Sequence, residues 1–353
     1  QQSTNDELDR GGGWPGGQYN RMQQAQVFPG CARSVGFRDH GLRVPLTGWL
    51  LRLLCSAFAL LPLYSPAAVV AAEPTAAVAS HCSILPVHDP SSPRARPPET
   101  ARRTPVYRFE VIARYPHDSE AFTQGLTFHD GDLFESTGLY GRSVIRRVEL
   151  ATGATLTQRH LAEQFFGEGL TSVDGRLVQL TWRAGVAFVY APADLHKVDE
   201  FSIAGEGWGT TTFDGRLVVS DGSSRLRFLD PDDYSDTGTI QVMEAGRPVT
   251  GLNELEAVRG LIYANVYPGD CLAMIDPGSG AVTGWLDLDG LMPLSERRDG
   301  AAVANGIAYN AQTGQLFVTG KLWPYLYQLR LPGNGYPRTR RAFVPSDPAR
   351  RAK

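Results

Sequence analysis

Residues 165–182 read FFGEGLTSVDGRLVQLTW, two apolar-rich strands on either side of an Asp174-Gly175 turn. Asp-Gly between alternating apolar runs is the signal of a two-residue β-hairpin, because both turn positions need positive φ. One feature does not belong to an ordinary hairpin. A lone carboxylate, Glu168, stands between Gly167 and Gly169 where the first strand begins.

The same hairpin recurs along the chain. DGDLFESTG, DGRLVQLTW, DGRLVVSDG, RGLIYANVY and TGQLFVTGK carry turn glycines at Gly131, Gly175, Gly215, Gly260 and Gly314, so the spacings are 44, 40, 45 and 54 residues. A short strand precedes each turn (GLTFHD, GLTSVD, GTTTFD, ELEAVR, GIAYNA), and a third follows the hairpin, such as VIRRVEL or LAMIDPG. Most copies add a fourth strand, such as TLTQRHL. Four short strands per unit of roughly 40 to 50 residues, without helical periodicity, predict an all-β, five-bladed β-propeller. The fifth copy lacks its fourth strand. VYRFEVIARYP (Val106 to Pro116) is expected to supply it, closing the ring and leaving no open edge over residues 106–332.

The flanking segments have another character. Residues 1–42 are rich in Gly, Gln and Arg without periodicity and read as disordered or as an over-long gene model. In residues 43–73, Arg43 and Arg52 flank an apolar run that ends in small residues near Ala72, the layout of a secretory signal peptide. A transmembrane helix is the rival, weakened by Pro62 and Pro66. Residues 74–105 read as a flexible linker and residues 333–353 as a C-terminal tail. The chain is therefore expected to be exported, to periplasm or medium, without stable membrane association after signal removal. Of four cysteines, Cys31 and Cys55 fall in these excluded segments. A disulfide between Cys82 and Cys271 is conceivable, but a buried free Cys271 is the expected state. A formal charge of −3 over 353 residues offers no basic excess for nucleic acid.

The repeat also places Glu168. Just before the first strand of each copy come Gln124, Glu168, Trp208, Asn253 and Asn305; seven residues after each turn glycine come Gly138, Trp182, Gly222, Tyr267 and Lys321. In a propeller the first strand lines the channel and the second runs back antiparallel, so both sets ring one mouth. The next column keeps glycine at Gly125, Gly169 and Gly209. Regular scaffold beside diversified polar and indole positions is the pattern of a binding site. Each residue has a plainer reading: Trp182 and Trp208 as packing between blades, Asn253 and Asn305 as strand caps, Lys321 as a solvated charge or the ion-pair partner of Glu168. Taken singly, each indole is open to either reading; at a channel mouth with glycine neighbours, indoles are usually exposed platforms.

The motifs YPHDSEAFTQGLTF, FESTGLYGRSVIRRVEL, FGEGLTSV, EGWGT, LNELE, NGIAYN and TGKLWPYLYQL, in that order, closely resemble the plant and bacterial type of glutaminyl-peptide cyclotransferase (glutaminyl cyclase) over residues 106–332. The resemblance implies a five-bladed propeller that converts N-terminal glutamine of peptides or proteins into pyroglutamate with release of ammonia, without zinc. It implies Glu168 as the catalytic carboxylate and substrate contacts from Phe122, Gln124, Trp182, Trp208, Asn253 and Lys321. Where the plant pattern has Trp, this chain has Tyr267, so the aromatic wall changes shape there.

That chemistry suits one acid. The substrate's α-amine attacks its own γ-carboxamide, so holding the folded-back conformer supplies much of the rate. Glu168 would take the amine proton as general base and return it to the leaving nitrogen as general acid. Lys321, or the amides of Gln124 and Asn253, would stabilise the oxyanion. Scattered histidines and the lack of paired ligand motifs predict that no cofactor is required, although DGDLFESTG and Asp221-Gly222 leave room for a structural cation. A monomer is expected. The alternative is a non-catalytic propeller that binds peptide N-termini or another small ligand at the same mouth.

Overall fold

Four of the five hairpin turns show why the repeat reads so clearly. Asp130-Gly131, Asp174-Gly175, Asp214-Gly215 and Arg259-Gly260 all have positive φ at both positions, the type I′ geometry whose twist matches that of the flanking strands. Each turn joins an inner strand to its neighbour: Thr123–His129 to Asp132–Thr137, Gly167–Val173 to Arg176–Thr181, Thr210–Phe213 to Arg216–Ser220, and Leu252–Val258 to Leu261–Val266. The fifth pair, Ala304–Asn310 and Gln315–Gly320, uses a longer loop closed by Gly314. In a computed structural model that describes Cys82, residues 104–298 and residues 300–331, these antiparallel pairs open five sheets. They are the blades of a five-bladed β-propeller.

The core lies between consecutive blades. Leu126, Leu133, Ala308 and Phe317 pack blade five on blade one; Phe134, Ile145, Leu170 and Leu177 pack blade one on blade two; comparable clusters fill the other three interfaces. Outermost strands such as Thr155–His160 and Asp236–Gln241 are largely exposed.

Closure departs in one respect from the sequence expectation. Glu110–Pro116 is the fourth strand of blade five, antiparallel to Tyr325–Arg330. Val106–Tyr107, expected in that same strand, instead pairs in parallel with Val282–Asp287 of blade four. The N-terminal segment thus clasps two blades, which is why the outer strand of blade four is buried. The expectation of a free Cys271 is also overturned. Cys82 and Cys271 are disulfide-bonded with Cα atoms 5.7 Å apart, and both are buried, so the segment read as a flexible linker is tied to blade four at Cys82. The segments read as a disordered region (1–42), a signal peptide (43–73) and a C-terminal tail (333–353) lie outside the described residues.

Candidate active site

Four of the five inner strands are irregular where the divergent ring begins; that of blade three, Thr210–Phe213, keeps a continuous register. The pairing register shifts between Thr123 and Gly125, Gly167 and Leu170, Leu252 and Leu255, and Ala304 and Ile307. A bulge re-aims a side chain and leaves a residue out of the ladder. Here the residues left out include Gln124, Glu168, Asn253 and Asn305. The second ring lies beside them through backbone bonds: Gly138 N to Phe122 O (2.8 Å), Trp182 N to Phe166 O (3.1 Å), Tyr267 N to Gly251 O (2.8 Å) and Lys321 N to Val303 O (2.9 Å). Both rings therefore share one mouth.

The glycine column is steric in origin. A Cβ on Gly125 would lie 2.3 Å from Leu170 N, on Gly169 2.6 Å from Thr210 N, and on Gly209 2.0 Å from Asn253 O, so inner strands of successive blades touch here. Blade four breaks the column with Glu254. Its carboxyl accepts Leu126 N–H (3.3 Å) and Ile307 N–H (2.9 Å), spanning from blade four to blades one and five beneath the mouth. Burial and neighbouring Glu256 push its pKa well up.

Gln124, Glu168, Asn253, Asn305 and Lys321 are all buried and form the floor. The Glu168 carbonyl accepts Ser136 Oγ–H at 2.5 Å, and the next amide, Gly169 N–H, bonds Trp208 O at 2.7 Å, which anchors the acid's backbone to blades one and three. The Lys321 ammonium donates to Gln124 Oε1 and lies 4.5 Å from the Phe122 ring centroid. Burial lowers the Lys321 pKa to about 7, with the Glu168 charge opposing the shift, so acid and lysine interact across the floor. The reading of Lys321 as a solvated charge is excluded. Asn305 Nδ2 donates to Thr123 O (3.0 Å) and Gln124 Oε1 (3.2 Å) and so orients Gln124. Asn253 differs. Its Oδ1 and Nδ2 are buried without a hydrogen-bond partner among the described residues.

Behind this floor, Thr123 Oγ–H bonds Glu135 (2.7 Å), which is held by His117 (3.0 Å) and Arg146 (2.7 Å). Burial pushes the Glu135 pKa up, but these two cations keep it well below the usual carboxylate range.

The walls are aromatic. Phe122 meets Phe166 edge-on at 6.2 Å, and Phe166 meets Trp182 at 5.7 Å. On the next blades, Trp208 and Tyr267 meet edge-on at 6.2 Å, both half-buried. Small second-ring residues make room for these rings: a Cβ at Gly138 would lie 2.3 Å from Phe166, and one at Gly222 2.8 Å from Trp208. Trp182 is a buried wall rather than the exposed platform expected from sequence, with Phe166 on one side and the Arg183 guanidinium 3.8 Å from its ring centroid.

Sequence reasoning passed over Glu206. Its Oε2 accepts both indole N–H groups, from Trp182 (2.8 Å) and Trp208 (2.9 Å), while Oε1 accepts Arg183 Nε–H (2.8 Å). It lies two residues before Trp208, outside both rings, and its sequence signal was its place at the head of EGWGT. The acids of the loops read as cation sites are engaged within the protein: Asp132 pairs with Arg147 (3.1 Å), and Asp221 caps Ser223 N–H (3.0 Å).

Comparisons with known proteins agree with this architecture. Residues 83–331 match the family described as glutamine cyclotransferase. A glutaminyl-peptide cyclotransferase of Arabidopsis thaliana is 43% identical over 232 residues, 64% of this chain and 72% of the relative. The crystal structure of Myxococcus xanthus glutaminyl cyclase superposes with a TM-score of 0.61 at 38% identity, covering 64% of this chain and 97% of that one.

Proposed function

We propose, for a chain that belongs to the glutamine cyclotransferase family, that Glu168 drives conversion of N-terminal glutamine in peptides to pyroglutamate and ammonia. The observation that carries this reading is one buried carboxylate, anchored at its backbone and coupled to a buried lysine inside an aromatic-walled mouth. An α-amine with a pKa of roughly 8 arrives partly protonated. Glu168 removes a proton from the attacking amine as its nitrogen bonds the carbonyl carbon of the γ-carboxamide, then returns a proton to the carboxamide nitrogen as the bond from that carbon to the departing nitrogen breaks. Negative charge that builds on the carboxamide oxygen is met by Lys321, with Gln124 holding the ammonium. The unpartnered amide of Asn253 is suited to the substrate's primary carboxamide, which offers one acceptor and two donors. Trp182, Trp208, Tyr267 and Phe122 exclude water and restrict the side chain to its folded-back conformer.

The reaction needs no cofactor in this scheme, and the enzyme acts as an exported monomer. The buried Cys82–Cys271 disulfide supports export, since such bonds persist in oxidising compartments.

The test is direct. Incubation with a Gln-initiated peptide should produce loss of one ammonia by mass, unchanged by chelator. Glu168→Gln should retain the melting temperature and lower kcat by on the order of 10²–10⁴-fold. A rate like that of the wild type in this variant would remove Glu168 from the chemistry, and sensitivity to chelator would overturn the metal-free scheme.

A further inference from the structure

The floor sector built from Gln124, Lys321 and Asn305 is sealed, so a glutaminyl group seated there leaves by the exposed rim. On the side of blades one and two that rim carries Tyr140 and Arg183. Tyr140 is 43% exposed, and its ring meets Phe166 edge-on at 5.4 Å. Phe166 in turn contacts Trp182, which Arg183 covers. The two side chains thus flank one aromatic wall beside Glu168.

Tyr140 is presented by a constrained turn. Leu139, a non-glycine residue, sits at φ 85°, a left-handed conformation that persists only where surroundings enforce it. Ser143 supplies the enforcement: its Oγ–H donates to Leu139 O (2.8 Å), and the same oxygen accepts Gly167 N–H (2.9 Å), one residue before Glu168. The turn is therefore bolted to the strand that carries the acid. Among the described residues, neither the Tyr140 hydroxyl nor the terminal guanidinium nitrogens of Arg183 make a hydrogen bond, since Arg183 uses only Nε, toward Glu206. Burial raises the pKa of Tyr140, Glu168 and Glu206 add to the rise while Arg183 opposes it, and the hydroxyl remains a donor at physiological pH.

We infer that Tyr140 and Arg183 form a subsite for the peptide carbonyl of the substrate's glutaminyl residue. Cyclisation uses only the α-amine and the γ-carboxamide. The α-carbonyl is the first polar group to leave the pocket, it only accepts hydrogen bonds, and the rim offers it two unengaged donors. This rests on the reading of the mouth as the cyclisation site and assigns it a preference for peptides.

The experiment compares Gln-Ala-amide with 4-aminopentanamide, which keeps the reacting amine and carboxamide but has a methyl group in place of the carbonyl. For Tyr140→Phe, KM for the peptide should rise roughly 3- to 10-fold with kcat within about twofold, the loss expected for one neutral hydrogen bond. The inhibition constant of 4-aminopentanamide should stay within about twofold of wild type. Arg183→Ala should act on the same substrate in the same direction. An unchanged peptide KM in Tyr140→Phe, or equal weakening of both compounds, overturns the subsite. Failure of the wild-type enzyme to cyclise the peptide at all is a separate outcome and overturns the assigned reaction itself.

Discussion

One carboxylate oxygen of Glu206 receives two indole N–H groups from different blades, so this residue sets the separation of Trp182 and Trp208. Glu206→Ala should release both rings. Its expected signature is a shift in tryptophan emission together with a severalfold rise in KM, while the melting temperature changes little because Glu206 is partly exposed. Unchanged emission would show that other contacts hold the indoles. Lys321 carries the second prediction. Its pKa of about 7 means the ammonium is lost as pH rises through neutrality, while the substrate amine becomes reactive near pH 8. The wild-type profile of kcat/KM should therefore have an alkaline limb, and Lys321→Met should abolish that limb and lower kcat by about 10²–10³-fold. A limb that persists in the variant would belong to another group. At this scale Glu168 was legible because an acid between glycines breaks a repeat. Glu206 was not, because its importance lies in what it touches across a blade boundary.

At the scale of the strand, the bulges and the glycine column act together. The bulge turns one residue out of the ladder toward the mouth, and the following glycine lets the next blade approach within van der Waals distance. Gly209→Ala places a methyl group 2.0 Å from the Asn253 carbonyl oxygen, so it should destabilise by about 1–3 kcal/mol or more and disturb Asn253. Thermal melting checks the first effect and peptide KM the second; a variant with both unchanged would mean that the blades separate without cost. The hairpins and the column were readable in sequence because turn chemistry and close packing demand glycine or Asp-Gly. The bulges left no separate mark, since the residues they turn out share no chemistry. Glu254 shows the other limit: a carboxyl in a glycine column looks like a functional group, yet its oxygens hold backbone N–H groups of two other blades.

For the molecule as a whole, closure depends on contacts far apart in sequence. Cys82 and Cys271 are separated by 189 residues. Removing that cross-link should cost about 2–5 kcal/mol, seen as a lower midpoint in denaturant for Cys82→Ser or after reduction. An unchanged midpoint would assign the clasp to strand pairing alone. The channel acids give a pH signature. Burial raises the Glu256 pKa to about 8 from an ordinary value of 4.5. The folded state then binds the extra proton, so this contribution is complete below about pH 4.5 and is lost as pH rises through about 8. Stability should decline from pH 5 to 7, and Glu256→Gln should make that decline shallower, with Glu254, whose pKa is also raised by burial, carrying the rest. The window stops at pH 7 because Lys321, with its pKa lowered by burial, has the opposite slope above it.

The period of the hairpins, the type I′ turns and the glycine column determined the five blades and the single mouth, because each is a local demand on backbone conformation that only a few residue types meet. The same phase relation named Gln124, Glu168, Asn253, Asn305 and Lys321 as neighbours. Tertiary structure alone decided that Val106–Tyr107 crosses to blade four, that Cys82 finds Cys271, and that Trp182 is walled in while Tyr140 and Arg183 form the rim. Those outcomes depend on which side chains meet between blades, and contacts between distant segments leave no periodic trace along a chain.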